Sequence, residues 1–278
     1  MMIEADLNTL CKPALLLSYC VGLFLLLHML VTLPKFLLVT PVWNDSARLE
    51  HFGVRLAKAL AVSGLNLIWV IADDGSDTEE VEQLQRLKEK FSQIYSDVVL
   101  HLHPERSFKG GAIYQTWQQF PDADFYAFVD ADGAVSADEL IRMLNCAGDS
   151  ENPDMSFVAV RHFSGPLVVE RSLLRKATFH LFRTLVRGIV GSKWIDTQCG
   201  AKVISGRSYR AVSERLVEDG FVFDVELLAT LQQDAWPITE LPIMWQEMPG
   251  SKLNLWRDLW TMTGGLIRIR RRLNASVL

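Results

Sequence analysis

The chain has 278 residues, of which 49% are hydrophobic and 22% charged, with a formal net charge of −5. This composition excludes an intrinsically disordered protein, because disordered chains carry few apolar residues, and 17 glycines are too few for a collagen-like repeat. The length allows one or two domains. The mean hydropathy of +0.14 is high for a soluble enzyme, and most of the excess lies near the N-terminus.

An uncharged apolar segment occupies residues 13–33, PALLLSYCVGLFLLLHMLVTL. At ~1.5 Å per residue, a helix of this length spans about 30 Å, the thickness of the hydrocarbon core of a bilayer. Acidic residues precede the segment, whereas a secretory signal peptide begins with basic ones. We therefore predict a single-pass membrane anchor over residues 1–34, with a buried core helix as the alternative. Lys12 and Lys35 flank the segment evenly, so the charges give only a weak preference for a cytoplasmic catalytic domain.

Short apolar runs alternate with amphipathic stretches after residue 35, which is the pattern of a βαβα fold. The helix that begins near Ser46 is predicted to end at Gly64. The fold class is therefore α/β, with a mostly parallel sheet covered by helices on both faces. Strands are predicted over five runs: 36–40, 67–72, 98–102, 125–129 and 156–160.

Two further helix starts are marked by capping signals. Asp77 with Glu80, and Ser136 with Glu139, have the spacing of a capping box. In this motif the first residue accepts a hydrogen bond from the backbone of the second, and the second side chain reaches back to the first. A helix is therefore predicted to begin at each pair.

Acidic side chains follow three of the predicted strands. They lie in PVWND (41–45), DDGS (73–76) and DADG (130–133). Because the carboxyl ends of parallel strands meet at one edge of a sheet, where ligands bind, we expect these side chains to lie close together. Asp130 and Asp132 are suited to hold Mg²⁺ or Mn²⁺ together with a substrate diphosphate, but such pairs also form turns, and the pair alone does not decide between the two.

The second acidic pair favours a nucleotide site. One carboxylate of Asp73 and Asp74 is suited to accept hydrogen bonds from a uracil or ribose while the metal holds the diphosphate. The sequence has neither GxGxxG after the first strand nor GxxxxGK[ST], so the two commonest nucleotide fingerprints are absent.

Six motifs in order resemble the GT-A glycosyltransferases of family 2. They are TPVWND, ADDGSDT, FKGGA, FVDADGAV, IDTQCGAK and GSKL, and the resemblance covers about residues 36–272. Within this family, the chain is most similar to dolichyl-phosphate glucosyltransferases and polyprenyl-phosphate glycosyltransferases. The resemblance implies a GT-A catalytic domain over residues 35–250 and a nucleotide-sugar donor.

The resemblance also implies roles for individual residues. Asp130 and Asp132 would bind the metal, Mg²⁺ or Mn²⁺. Ala134 stands where mannosyl-transferring relatives carry Gln, which favours a glucosyl-like subgroup, and the Gln-x-x-Arg-Trp motif of processive synthases is missing. The donor-binding residues would be Pro41, Trp43, Asp45, Asp73, Asp74, Lys109 and Asp130.

Basic charge is concentrated in two segments. Residues 161–202 carry a net charge of +6 and residues 251–278 carry +5, which leaves −16 for the rest. Both segments show apolar residues at helical spacing beside Arg and Lys, so we predict amphipathic basic helices over 170–191 and 251–278 at a membrane interface. The alternative is two core-facing helices with solvated basic faces.

The predicted reaction is metal-dependent, inverting transfer of a hexose from a UDP-sugar to a polyprenyl phosphate. The resemblance places Asp130, Asp132, Arg161 and Asp196 at the catalytic centre. The acceptor phosphate would contact Arg161, Arg175, Lys202, Ser251 and Lys252, because basic side chains bind phosphate oxygens.

Two other functions remain open from the sequence. A family 2 enzyme acting on a hydroxyl acceptor would need a carboxylate base, Asp196 or Asp224. A non-catalytic scaffold would be expected to lack one of the metal-binding aspartates, and both are present. A nucleic-acid partner is not expected, and a homo-oligomer is left open.

Overall fold

The computed structural model describes residues 33–162, 180–246, 248 and 255–275. Within these ranges the chain forms a seven-stranded sheet flanked by helices. The strands are β1 Lys35–Val42, β2 Asn66–Asp73, β3 Val98–Leu102, β4 Phe125–Val129, β5 Ser156–His162, β6 Ala201–Ser205 and β7 Ile238–Met244. The helices are α1 Ser46–Ser63, α2 Thr78–Ser92, α3 Phe108–Gln119, α4 Ala137–Gly148, α5 Gly206–Val212, α6 Phe223–Gln233 and α7 Leu255–Ala275.

The strand order is β3-β2-β1-β4-β6-β5-β7. β1 pairs in parallel with β2 and β4, β2 with β3, and β5 with β7, whereas β6 runs antiparallel to both of its neighbours. The mostly parallel α/β fold predicted from the sequence is confirmed. All five predicted strands are present, with ends that differ by at most two residues, and α1 ends at Gly64 as predicted.

Alternation along the strands builds two apolar layers. In β1, Phe36 and Leu38 face one side of the sheet and Leu37 and Val39 face the other, as the two-residue period of a strand requires. The first layer packs against α1, α2 and α4, and the second against α3, α5 and α6. With helices on both faces, the polar groups at the carboxyl ends of the strands are left at one open edge.

The predicted capping signals mark true helix starts, although the full capping box does not form. Asp77 accepts a hydrogen bond from the backbone N–H of Glu80 (3.1 Å), and Ser136 accepts one from that of Glu139 (3.2 Å). The reciprocal bond is replaced in each case. The Glu80 carboxylate accepts from the N–H of Ser46, at the start of α1, and Glu139 binds an arginine one turn later.

The described part of the first basic segment packs against the rest of the protein. Residues 180–185 are helical and Val186–Val190 form a π-helical turn. Phe182, Val186 and Val190 are buried against α6 and α7, so these residues supply core contacts and not an exposed apolar surface. Leu181 and Trp260 remain exposed, Trp260 to 78%. Residues 163–179, which include Arg175, lie outside the described residues.

The predicted membrane anchor also lies outside the described residues, apart from its last two residues, Leu33 and Pro34. Among the helices that the structure does describe, none combines the length and the apolar character needed to cross a bilayer.

Replacing the N-cap of α2 provides a test of this local structure. Asp77→Ala removes the acceptor for the Glu80 N–H and is expected to lower the free energy of unfolding by about 1 kcal/mol. Asp77→Asn keeps a side-chain oxygen and should lose much less. Urea unfolding measures both variants, and equal losses would show that the hydrogen bond does not stabilise α2.

Candidate active site

The carboxyl ends of β1, β2 and β4 bring the predicted acidic residues to one edge. Backbone hydrogen bonds connect the loops after these strands to neighbouring segments. The N–H of Asp74 donates to the carbonyl of Val42 (2.8 Å), and the N–H of Asp130 donates to the carbonyl of Gly200 (2.9 Å). The segment before β6 therefore reaches the same edge, because β6 runs opposite to its neighbours.

Two cations lie against the aspartate pair after β4. The ammonium of Lys109 is 2.6 Å from Asp130 Oδ1, and the guanidinium of Arg48 is 3.7 Å from Asp132 Oδ2. Arg48 also holds Asp45 through two of its nitrogens. The Asp130 and Asp132 side chains keep 33% and 25% of their surface exposed, so both carboxylates remain accessible from the edge.

The electrostatics of this pair follow from burial and from the two close negative charges. The pKa of Asp132 is raised, first by burial and then by the charge of Asp130. The N–H of Ala134, which donates to Asp132 Oδ1 at 2.9 Å, and the cations of Arg48 and Lys109 act in the opposite direction. Burial lowers the pKa of Lys109, but nearby carboxylates, Asp130 foremost, outweigh it and raise that pKa. Lys109 is therefore an ammonium ion at neutral pH.

The donor atoms at this edge fit a hard divalent cation that shares its ligands with a substrate. Asp130 and Asp132 offer carboxylate oxygens only, the ligand type that Mg²⁺ and Mn²⁺ prefer. In the described part of the chain, no three His, Cys, Asp or Glu side chains are grouped closely enough to hold a metal by themselves. A cation at this edge would therefore need substrate oxygens or water to complete its shell.

Asp73 and Asp74, predicted to bind the nucleoside, are both buried and tied to the loops. The Asp73 carboxylate accepts from the N–H of Ser76 (3.3 Å). Asp74 Oδ1 accepts from the N–H (2.6 Å) and the hydroxyl (3.1 Å) of Ser107, the N-cap residue of α3. Burial raises the pKa of Asp74, and this effect outweighs the two hydrogen bonds from Ser107, which lower it. Asp74 thus fixes the start of α3, the helix that carries Lys109.

An aromatic side chain at the same edge is covered by an arginine. The guanidinium of Arg106 lies 3.4 Å from the centre of the Trp43 ring and 4.9 Å from that of Phe108. Pro41 lies inside β1, paired with Ala72 of β2. The structure thus brings all the predicted donor-binding residues to the β1, β2 and β4 side of the edge.

Two residues at this edge, Arg48 and Arg106, were not predicted from the sequence. The contact between Arg48 and Asp45 could have been predicted, because the two residues are three apart at the start of a helix, where their side chains are neighbours. The position of Arg106 could not have been predicted, because its contact with Trp43 joins two loops that are distant in the sequence.

Arg161 and Asp196, predicted catalytic residues, form a buried ion pair near the carboxyl end of β5. Arg161 donates to the two Asp196 oxygens at 2.5 and 2.7 Å, and the Asp196 side chain is 2% exposed. Burial alone would raise the pKa of Asp196, but the hydrogen bonds and charge of Arg161 hold that pKa below its usual value. Asp196 is therefore ionised and orients Arg161.

Lys202 does not face outward, as a ligand of the acceptor phosphate would. Its ammonium is fully buried and donates to the carbonyl of Cys199 (3.0 Å) and to Asp224 Oδ2 (3.3 Å). The reason is its place in β6, between β4 and β5, under α6. The second oxygen of Asp224 has no hydrogen-bond partner among the described residues. Burial raises the pKa of Asp224, despite the charges of Lys202 and Lys109.

Two other predicted acceptor residues, Ser251 and Lys252, lie outside the described residues, as does Arg175. Their roles stay predictions. The acceptor side is therefore described only where β5, β6 and α6 meet.

The family model for glycosyl transferase family 2 matches residues 38–210. The match runs from within β1 to within α5 and includes Asp45, Asp73, Asp74, Asp130 and Asp132. The chain belongs to glycosyl transferase family 2, which confirms the family inferred from the six motifs.

Several curated proteins are similar in sequence to this chain. The chain is 30% identical to the dolichyl-phosphate beta-glucosyltransferase of Saccharomyces cerevisiae, over 72% of this chain and 63% of that protein. It is 27% identical to the dolichyl-phosphate beta-glucosyltransferase of Dictyostelium discoideum, over 84% of this chain and 73% of that protein. The human enzyme of the same name is 29% identical, over 73% of this chain and 63% of its own length. The chain thus spans less than two thirds of the yeast and human relatives.

Solved structures show the same fold at low sequence identity. The glucosyl-3-phosphoglycerate synthase of Mycobacterium tuberculosis, crystallised with Mn²⁺, UDP and glucosyl-3-phosphoglycerate, superposes with a TM-score of 0.62 at 14% identity, covering 87% of this chain and 80% of that one. A mannosyltransferase from Pyrobaculum calidifontis, crystallised with GDP-mannose and Mn²⁺, gives 0.55 at 13% identity, covering 84% and 61%. The fold is therefore GT-A-like, as predicted.

Removing the acidic partner of Arg161 should be costly. Asp196→Asn leaves a buried guanidinium without its countercharge and is expected to lower the free energy of unfolding by about 3–5 kcal/mol near pH 7. Because the folded-state pKa of Asp196 is lowered, the ion pair stabilises the fold above about pH 4 and this contribution is lost as the pH falls through the folded-state pKa.

The difference between wild type and Asp196→Asn should therefore shrink in acid. Denaturant unfolding from pH 3 to 7 measures it. The control is Glu82→Gln, which removes the exposed ion pair with Arg86 and should cost less than about 1 kcal/mol. A small loss for Asp196→Asn that does not vary with pH would contradict this assignment.

Proposed function

We propose that the protein transfers a hexose, glucose in the first instance, from a UDP-sugar to a polyprenyl or dolichyl phosphate at a membrane surface. The observation that carries this proposal is the pair Asp130 and Asp132, with Lys109 and Arg48 against it, at the open edge of a family 2 sheet. The choice of donor and acceptor is supported by the names of the similar proteins, which are dolichyl-phosphate beta-glucosyltransferases.

The donor would lie along the β1, β2 and β4 side of the edge. Its nucleoside would meet the Trp43, Asp45 and Asp73 loops. Its diphosphate would meet the ammonium of Lys109, which is 2.6 Å from Asp130 and is charged at neutral pH. Arg48 would hold Asp45 in place and balance the charge of Asp132.

Mg²⁺ or Mn²⁺ held by Asp130 and Asp132 would neutralise charge on the departing diphosphate. The protein groups alone supply part of the same effect. The cations of Lys109 and Arg48 are held in place by ion pairs before the substrate arrives, so stabilising the leaving group requires little rearrangement.

The acceptor phosphate needs no strong base. A phosphate monoester has a second pKa near ~6, so it is a dianion at neutral pH and its oxygen is already nucleophilic. That oxygen forms the new bond to the anomeric carbon as the bond to the UDP oxygen breaks, which inverts the configuration. UDP leaves with the electron pair. Arg161, oriented by Asp196, would bind the incoming phosphate at the end of β5.

Membrane contact is proposed for the anchor, residues 1–34, and for the basic segments 170–191 and 251–278. The catalytic domain would span residues 35–250 and include the first of these basic segments. The exposed Trp260 of α7 and the exposed Leu181 belong to helices that pack together, and exposed arginines follow Trp260 on α7. Trp and Arg together favour the headgroup region of a bilayer.

A hydroxyl acceptor is the second candidate, and its base would be Asp196 or Asp224. Asp196 is a poor base because Arg161 lowers its pKa and occupies both of its oxygens. Asp224 fits better, because its pKa is raised and one of its buried oxygens has no hydrogen-bond partner among the described residues. Asp224→Asn would then abolish transfer to a hydroxyl acceptor.

An acceptor assay separates the two candidates. Purified protein in detergent is incubated with Mn²⁺, a panel of UDP- and GDP-sugars, and either a polyprenyl phosphate or a saccharide. We expect a glycolipid from UDP-glucose and the polyprenyl phosphate. Transfer to the saccharide alone would overturn the lipid-phosphate assignment.

The metal-binding assignment has its own test. Asp132→Asn is expected to abolish turnover, a loss of at least about 100-fold, because the second carboxylate ligand is gone. Circular dichroism and thermal unfolding should stay close to wild type, since Asp132 is partly exposed. The matched control is Asp122→Asn, an exposed residue on the α3–β4 loop. Near-normal turnover of Asp132→Asn would contradict the assignment.

A further inference from the structure

We infer that the C-terminal helix α7 positions Lys109 through Glu218, so that Glu218 is a positioning residue for the donor site. The contact runs through the segment between the 3₁₀ turn Ser213–Arg215 and α6, which we call the 216–222 loop. This role of Glu218 rests on the proposed function only in that UDP, the product of the proposed donor, is the ligand used to test it. Each contact in it belongs to the described residues.

The first contact joins α7 to the loop through charged hydrogen bonds. Arg268 donates to both oxygens of Glu218 (2.9 and 2.6 Å), and Arg272 donates to Glu218 Oε1 (2.6 Å). The Glu218 residue is 4% exposed. Bidentate arginine–carboxylate pairs fix geometry as well as charge, so the position of Glu218 follows the position of α7.

The second contact joins the same loop to α6. Glu226 Oε2 accepts the backbone N–H groups of Val217 (2.9 Å) and Glu218 (2.7 Å). Its other oxygen accepts from Arg272 (2.7 Å). The loop backbone is therefore held by a buried carboxylate that is itself held by α7.

The third contact joins the loop to the helix of Lys109. The carbonyl of Asp219 accepts the N–H groups of Gly110 (2.7 Å) and Gly111 (3.2 Å). These amides lie in the first turn of α3, where backbone N–H groups have no partner inside the helix. The next residue toward the N-terminus is Lys109, with its ammonium 2.6 Å from Asp130.

Two glycines show how closely the loop is enclosed. A Cβ at Gly110 would lie 2.4 Å from Phe223 Cβ and 2.8 Å from the Asp219 carbonyl oxygen. A Cβ at Gly265 of α7 would lie 2.5 Å from Val222 Cγ2. The loop thus packs against the backbone of α3 on one side and that of α7 on the other, with no room for a side chain between them. A shift of α7 is passed to α3 because the packed layers cannot absorb it.

The test uses Glu218→Gln, which keeps the shape of the side chain and removes its charge. We expect the affinity for UDP with Mn²⁺, measured by calorimetry, to fall about tenfold, a size within the range typical of coupling between separate sites. Amide hydrogen exchange of the peptide 108–117 should become faster in the absence of any ligand. If Glu218→Gln does not fold, Arg268→Gln removes one arm of the same contact.

A double variant separates positioning from general stability. If Glu218 acts through Lys109, then Lys109→Met with Glu218→Gln should bind UDP no more weakly than Lys109→Met alone. Additive losses would mean that Glu218 affects binding by another route, and would overturn the inference. The matched control is Glu82→Gln, which loses an exposed ion pair on α2 and should leave exchange and UDP affinity unchanged.

The remaining outcomes are also decisive. Unchanged exchange in peptide 108–117, or wild-type UDP affinity in a folded Glu218→Gln protein, would overturn the inference. A wild-type protein that fails to bind UDP would contradict the proposed donor and leave the exchange experiment as the test of the contact itself. Faster exchange in 108–117, without a similar change in α4, would support it.

Discussion

The ion pair between Lys109 and Asp130 is the interaction on which the site depends. It joins the first turn of α3 to the residue that follows β4, and so connects a helix on one face of the sheet to the edge where the acidic residues lie. Three other groups serve this contact. Asp74 fixes the N-cap of α3, Arg48 balances Asp132, and the carbonyl of Asp219 caps the next two amides. These contacts hold the ammonium of Lys109 in place before any substrate binds. A group held in this way can stabilise developing charge without rearrangement.

The first five strands followed from the sequence because their signals are local, whereas β6 and β7 were not predicted. Apolar runs of strand length, capping residues and a terminal glycine each act within a few residues, and all of them agreed with the observed elements. The acidic edge was also predictable, since parallel strands place their carboxyl ends together. Both parts depend on periodicity and chain direction, which a single sequence carries.

The parts that were missed depend on contacts between distant segments. Lys202 has the composition of a phosphate ligand, and only its position in β6, beneath α6, shows that its ammonium faces Asp224. The sequence pattern assigns Phe182 and Val186 to the apolar face of an interfacial helix, because it does not show that α7 covers them. Glu218 gave no signal at all, since its partners lie about 50 residues away. In each case, the deciding fact is which surface packs against which, and no local pattern encodes it.

The reversed strand β6 has a consequence for how the two substrates are divided along the chain. The groups proposed to bind the donor all precede residue 134. Arg161 lies near the end of β5, Asp196 precedes the reversed strand β6, and Asp224 lies on α6 against Lys202 of β6. In the proposed reaction, the donor and the acceptor are thus bound by groups from consecutive stretches of sequence. An exchange of residues 156–233 between relatives would therefore affect both substrates, because the 216–222 loop lies within this stretch and its Asp219 carbonyl holds the first turn of α3.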